Sequence, residues 1–441
     1  MPINKNEYLQ EKIELFNTQT HVIIRKVSID NCVGWSYDDT LGEIRNQSRT
    51  FFQIKGIEKV EGDRITLQQP IIIQAEIGFL GIIRKRIDGE MHYLMQYKIE
   101  PGNINSVQIS PTIQATKSNF LQKHGGRKPE YLDYFLNASR YRLFYDQIQS
   151  EQSSRFFGKR NRNIIIEIDE AEDISVLPSH DWMTLQQIKQ LMRHDNVVNM
   201  DTRTVLSCMQ KDDEEENITY NGTKSLRYPM IMQSEIHQIS QIYHYINNYK
   251  MFRDYQVRLI PLFGLTDWHM DANEFLCTKP YSFKLIFCDI EIEGREVKHW
   301  CQPLFEAIGI ALFGLFICVD NGIRQFMVKC RPEIGCFDSI EIGPTVQREH
   351  VSHSASDVVE EIFIQKLESK TGIVFDTMLS EEGGRFYHEQ NRNVIIEIQK
   401  GEVLLPDGYF WCDYMVLKTL VIINNTLNIQ LRNLLSVLEV I

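Results

Sequence analysis

The sequence predicts an α+β protein in which one mixed-sheet unit is built twice, and three internal echoes predict it. Gln69 to Thr116 and Gln302 to Glu349 align without a gap at an offset of 233 residues, with Gly81 on Gly314, Gly102 on Gly335, Glu100 on Glu333, and Pro111 and Thr112 on Pro344 and Thr345. Matched glycines and prolines weigh most, because they mark backbone conformations that other residues adopt poorly. Ser153 to Ile168 (SSRFFGKRNRNIIIEI) recurs as Gly383 to Ile398 (GGRFYHEQNRNVIIEI), 230 residues on. Trp182, Asn196, Asn199 and Arg203 return as Trp411, Asn425, Asn428 and Arg432. Three blocks in one order at nearly constant spacing indicate duplication of a whole domain, not a short solenoid unit.

Along the chain, residues 1 to about 20 read as a helical lead-in through Tyr8, Leu9, Ile13, Leu15 and Phe16. Short β-like runs follow from His21 to Val60, punctuated by a turn at Ser36 to Asp39. Two strands then flank Asp88-Gly89, a strong hairpin signal. Pro129 to Ser150 places Leu132, Phe135, Ala138, Tyr141, Phe144 and Ile148 at helical spacing and predicts a long helix. After a strand at NIIIEI, Thr184 is an N-cap, and Gln187 completes a capping box over Leu185, Ile188, Leu191 and Met192. The acidic run Lys211 to Asn217 cannot bury a core, so the expected division is a first copy over 1–210, a linker over 211–224 and a second copy over 225–441. The second copy opens on a helix through Ile236, Ile239, Ile242, Tyr243 and Ile246, as the first does.

The bulk properties narrow the function. A chain of 441 residues exceeds one ordinary core, and 43% apolar with 24% charged residues is the make-up of a globular protein. A formal charge of −12 argues against non-specific nucleic-acid binding, which clustered cations provide. No apolar run reaches the roughly 20 residues of a membrane span, and the N-terminus lacks a signal-peptide core, so the expectation is a cytoplasmic protein away from membranes. Nine cysteines without a CxxC pair suit reduced thiols. The sequons at Asn217 and Asn221 are then incidental.

The duplication also sorts the chemistry. Residues kept in both copies serve what both share: Glu100/Glu333, Arg155/Arg385, Asn161/Asn391, Arg162/Arg392, Asn163/Asn393 and Glu167/Glu397, with Glu151 facing Glu381. Asn-Arg-Asn ahead of a strand reads either as a turn with a charged pair or as a polar cradle for a nucleotide, since arginine forks suit phosphate. Residues found once are candidates for a task done once. Lys159-Arg160 becomes Glu389-Gln390, and the basic run Gly125 to Lys128 has no counterpart. His124, before a glycine pair, titrates in the range useful for acid–base work, though single histidines are commonly structural. Tyr131 and Lys98 are further candidates, Lys98 facing Arg331. GxGxxG, GxxxxGK[ST], HExxH and GxSxG are absent, which removes support for NAD-dependent, phosphoryl-transfer, zincin and serine-hydrolase chemistry. His269 and Asp271 are too few for a metal site.

EPGNINSVQISPTIQATKSNF from Glu100, HGGRKPEYLDYF from His124, IQSEQSSRFFGKRNRN from Ile148, NVVNMDTRTVLSC from Asn196 and IRNQSRTFFQIKGI from Ile44 resemble the nucleoside-diphosphate-4-keto-6-deoxyhexose 2,3-dehydratases of deoxysugar biosynthesis. The resemblance covers nearly the whole chain. It implies a duplicated Nudix-like fold, here without the Nudix box whose carboxylates hold magnesium, and a homodimer that needs neither cofactor nor metal. The implied enzyme is a lyase that removes the C2 hydroxyl of a nucleotide-linked 4-keto-6-deoxyhexose, most simply a dTDP-linked glucose derivative. Its unstable 3,4-diketo-2,6-dideoxyhexose product would pass to a 3-ketoreductase or aminotransferase.

Such a reaction needs a base for the C3 proton, donors for charge on the C4 oxygen and an acid for the departing hydroxyl. The basic pair Lys159-Arg160, lost in the second copy, places the expected working pocket in the first copy, with Glu100, His124 and Tyr131 as acid–base candidates. Lys98, Arg155, Lys159, Arg160, Asn161, Arg162 and Asn163 would bind substrate. Arg385, Asn391, Arg392 and Asn393 would form a degenerate second site. A nucleotide-sugar sensor and a Nudix pyrophosphohydrolase are the rival readings, disfavoured by the unequal copies and by the missing box.

Overall fold

In the computed structural model the described residues are 4–49, 51–117, 128–209, 236–352 and 354–438. Helices and several sheets combine as an α+β protein. The expected linker over 211–224 and His124 with Gly125 to Arg127 lie outside the described residues.

Each half has its own core sheet, and the two sheets share one plan. In the first half the order is Arg142–Ser150, Arg160–Glu167, Gly78–Ile87, Glu90–Ile99 and His180–Thr184, with two short strands paired alongside. The hairpin at Asp88-Gly89 closes as expected, both residues having positive φ. Its parallel pair seats Ile164 opposite Gly81, and the second half repeats this with Val394 opposite Gly314. Even an irregularity is inherited, between Leu143 and Tyr145 in one half and between Ile373 and Phe375 in the other. Such conserved detail comes from continuous apolar strands buried on both faces, such as Ile164, Ile165 and Ile166, whose exposure is 0%.

The two smaller sheets exchange strands. Val22–Val27 from the first half pairs with Phe283–Ile292 of the second, and Tyr255–Ile260 from the second pairs with Gln53–Glu61 of the first. Each exchanged strand follows directly on its half's opening helix, Asn6–Gln19 or Ile236–Phe252. The halves are also locked at the third echo. Arg203, 1% exposed, donates to the carbonyls of Val198 and, across the halves, Ser380, while Arg432 donates likewise to Leu427 and Ser150. Burying two guanidiniums is tolerable only because their donors find these oxygens.

Two local expectations are corrected. The helix expected over Pro129 to Ser150 ends early: Leu132–Leu136 is helical, Ala138–Arg140 forms a single 3-10 turn, and Arg142–Ser150 is a strand. Leu132 and Phe135 do bury as a helix pair, but beyond Tyr141 the chain satisfies the otherwise open edge of Arg160–Glu167, and ladder hydrogen bonds outweigh a helical spacing. The turn expected at Ser36 to Asp39 also starts later, because Trp35–Asp38 is a strand and Gly42 closes the turn onto the Asp38 carbonyl. The capping box at Thr184 and Gln187 forms as expected. All nine cysteines are free thiols. Among the described residues no helix is long and apolar enough to cross a membrane.

Candidate active site

A cavity of about 600 Å³ opens where the end of the first-half core sheet meets the small sheet of the second half. Its polar wall begins on the strand Glu90–Ile99. Alternation along that strand and its exit turn sends Lys98 and Glu100 inward, with Lys98 Nζ 3.1 Å from Glu100 Oε1. Lys159 and Asn161 enter from the start of Arg160–Glu167, the next strand but one in the sheet. Asn161 is held on both sides, its Oδ1 accepting from the Gly78 amide at 3.1 Å and its Nδ2 donating to Glu151 at 2.7 Å.

The opposite wall comes from the other half of the chain. Gly102 donates its amide to the Gly383 carbonyl at 2.7 Å, and this contact brings the segment Glu382 to Arg385 into the cavity. Arg385 lies 4.2 Å over the Phe52 ring and donates to Gln74 at 3.3 Å. Arg295, from the hairpin turn of the second half, reaches the Ile99 carbonyl at 3.2 Å and stands 3.9 Å from Glu100. Trp35, Phe52 and Trp300 line the apolar side. Asp201, on the helix Met200–Ser207 capped by Asn199, is 2% exposed and also faces the cavity.

Within this wall the carboxyls are pushed apart. Burial favours a neutral Glu100, but Lys98, Arg295 and Arg385 overcome it and hold Glu100 below the ordinary carboxyl range. Burial pushes Glu382 up to about 7, opposed by Arg385 and reinforced by Glu100 and Glu151. Asp201 is driven well above its ordinary value, first by burial and then by the charges of Glu382, Glu151 and Glu100. Burial also lowers the Lys159 ammonium, against the pull of Glu151 and Glu382. One cavity therefore holds one carboxyl below its ordinary range beside others pushed above theirs, the divergence that acid–base work uses.

The residues expected at a first-copy site divide between several places. Lys98, Glu100, Lys159 and Asn161 line the cavity together. Arg155 does not join them: it crosses to the pseudo-equivalent place in the second half, 4.1 Å over Phe283 and 3.7 Å from Glu349, as Arg385 crosses the other way. Arg160 stacks 3.7 Å over Phe337, away from the cavity wall. Arg162 forms a bidentate pair with Asp146, at 2.7 and 2.6 Å, and Arg392 repeats it with Asp376 at 2.8 and 2.6 Å, so both forks serve the neighbouring strand. Asn163 donates to the Asn161 carbonyl at 3.2 Å, and Asn391 and Asn393 repeat the Asn161 and Asn163 contacts with Glu381 and the Asn391 carbonyl. Tyr131 sits off the cavity, donating to the Ser175 carbonyl at 2.8 Å and packing on His180.

Sequence reasoning missed Asp201, Glu382 and Arg295. A signal for two of them was present: Asp201 faces Gln430 and Glu382 faces Gln152, differences of the same kind as Lys159 against Glu389. Among the described residues no group of three or more His, Cys, Asp or Glu side chains is placed to hold a metal. Asp271 instead caps its own turn, accepting from the Asn273 and Glu274 amides at 2.7 and 2.8 Å.

A family model described as NDP-hexose 2,3-dehydratase matches the chain twice, over residues 6–209 and 239–438. Among similar proteins, a dTDP-4-dehydro-6-deoxy-alpha-D-glucopyranose 2,3-dehydratase of Streptomyces violaceoruber is 34% identical over 422 residues, covering 94% of this chain and 92% of the relative. One of the same name from Saccharopolyspora spinosa is 35% identical over 432 residues, covering 94% and 87%. A solved structure described as an ADP compounds hydrolase is 13% identical, covers 31% of this chain and 71% of its own, and has a TM-score of 0.19, at which it carries no argument about the fold.

Proposed function

The chain belongs to the NDP-hexose 2,3-dehydratase family, and on that premise we propose that it removes water across C2 and C3 of a dTDP-linked 4-keto-6-deoxyglucose. The observation that carries this reading is the composite cavity, in which cations and carboxyls from both halves stand against an aromatic wall. Arg385 and Lys159, one from each half, suit the diphosphate. Trp35 and Trp300 suit the flat base. Glu100, ionised beside Lys98 and Arg295, is placed to take the C3 proton that the C4 ketone acidifies. The electrons move onto the C4 oxygen, where the nearby ammonium groups offset the charge. Collapse of that enolate expels the C2 oxygen as water and leaves an enol, which tautomerises to the 3,4-diketo-2,6-dideoxyhexose.

The finer readings rest on this one. Each half is read as a Nudix-like unit without the Nudix box, and the units as 1–210 and 225–441 joined by the acidic run. The enzyme is read as a cytoplasmic homodimer whose product passes to a 3-ketoreductase or aminotransferase. The second-half place, with Glu389 where the first has Lys159, is read as a weak or structural site.

Incubation with dTDP-4-keto-6-deoxyglucose tests the function. The expected product has lost one water with the nucleotide still attached. Release of a nucleoside monophosphate supports a hydrolase instead, and unchanged substrate supports a sensor.

A further inference from the structure

We propose that Asp201 is the acid that protonates the departing C2 hydroxyl, in a buried wall completed by Glu382 from the other half of the chain. This deepens the dehydratase reading and rests on it. Hydroxide is a poor leaving group, so the reaction needs a carboxyl that is still protonated at neutral pH and faces the sugar. Asp201 meets the structural demand: it is 2% exposed, lines the cavity, and makes no hydrogen bond or ion pair among the described residues. A buried carboxylate in that position would be costly, whereas a carboxylic acid with a proton to give is not. Glu382 shares the cavity, lodged by the tight segment in which a Cβ on Gly384 would meet Glu382 Oε1 at 2.9 Å and Glu100 Oε2 at 3.4 Å.

The charged groups facing Asp201 are Glu382 from the second half, Glu151 after the strand Arg142–Ser150, Lys98 and Glu100 at the end of Glu90–Ile99, and Arg203 on its own helix. Burial first, and the acidic neighbours after it, favour the protonated acid. The second-half place supplies an independent comparison. Gln430 and Gln152 stand where the first has Asp201 and Glu382, so an amide replaces each carboxyl while Glu333 and Asn391 are kept. The division of labour follows: Glu100 takes the C3 proton, the C2–O bond breaks as the enolate re-forms the ketone, and the Asp201 proton leaves with the oxygen as water. A later water or the Glu100 acid returns a proton to Asp201.

The experiment separates the two half-steps. Asp201→Asn keeps the shape of a neutral acid, so it is expected to retain the wild-type unfolding temperature while dehydration falls about 10²- to 10⁴-fold. Exchange of the C3 proton with deuterated solvent, followed by NMR on unreacted substrate, is expected to persist. Elimination of fluoride from the 2-deoxy-2-fluoro analogue, which needs no protonation, is also expected to persist. Glu382→Gln removes a negative charge beside Asp201, lowers its pKa, and so moves the alkaline limb of the kcat profile to lower pH. Near-wild-type dehydration by Asp201→Asn, or loss of exchange and fluoride release along with dehydration, overturns the acid role. An unmoved alkaline limb in Glu382→Gln overturns the part given to Glu382. A wild-type enzyme that neither exchanges nor eliminates sinks the dehydratase reading itself, and this assignment with it.

Discussion

Gly102 and Gly335 are matched positions at which a single methyl group tests which half does the chemistry. An ideal Cβ on Gly102 would stand 1.6 Å from the Phe386 carbonyl oxygen and 2.8 Å from that of Gly383. On Gly335 it would stand 2.0 Å from the Phe156 oxygen and 2.4 Å from that of Ser153. Both obstacles are backbone, so no side chain can swing aside, and restoring an ordinary contact moves the facing segment by about 2 Å. In Gly102→Ala the displaced segment carries Glu382 and Arg385, whereas in Gly335→Ala it carries Gln152 and Arg155. Overpacking of this kind costs roughly 1–3 kcal/mol, so both variants are expected to lose similar stability in denaturant unfolding. Their turnover is expected to diverge. A displacement of 1 Å in reacting groups costs about 10²-fold, so Gly102→Ala loses at least that in kcat/KM for the 4-keto sugar nucleotide, while Gly335→Ala stays within a few-fold of wild type. The reverse pattern would refute the placement of the working cavity in the first half, and equal losses would show that both places turn over or that the halves move as one.

Other outcomes follow from the same geometry. Lys159→Gln is expected to lower kcat/KM about 10- to 150-fold, the worth of a hydrogen bond to a charged group at about 1.5–3 kcal/mol, whereas Arg160→Gln leaves it near wild type because that guanidinium rests on Phe337; steady-state kinetics on the two single variants decide it. Glu341 and Glu381 are buried and pushed up from 4.5 to about 8, so each binds more protons folded than unfolded, and its stabilising contribution, complete below 4.5, is lost as pH rises through 8. The unfolding temperature is therefore expected to fall between about pH 4.5 and pH 8, less steeply in Glu341→Gln and Glu381→Gln, and an identical slope in those variants counts against the assignment. Because each half lends a strand to the other, residues 1–210 and 225–441 expressed apart are expected to be poorly soluble and to recover activity on co-expression. A soluble, monomeric first half with full activity contradicts this.

The duplication was legible in the chain because a repeated backbone needs repeated glycines, prolines and apolar runs, and the matched registers at Gly81 and Gly314 return that pattern in space. The crossing of the halves was not, since strand pairing is chosen between distant segments and Val22–Val27 carries nothing that names Phe283–Ile292 as its neighbour. That crossing is why the site could be read only in part. Comparing the copies picked out Lys159 as unequal to Glu389, but assigning each residue to the pocket of its own copy assumed that each copy closes its own pocket. Arg155 shows the error of that step and Arg385 its remedy: sequence gives them the same place in the repeat, and the fold sends each to the other half. Once the crossing is known, the inequality at Glu382 and Gln152 changes meaning. A glutamate in the second copy is what the first copy's cavity receives, and the glutamine in the first copy reaches Glu389 of the second. Reciprocal exchange lets one duplicated scaffold evolve two unlike places, because Arg385 and Glu382 go to one and Arg155 and Gln152 to the other, so a change at any of these residues alters only one of them.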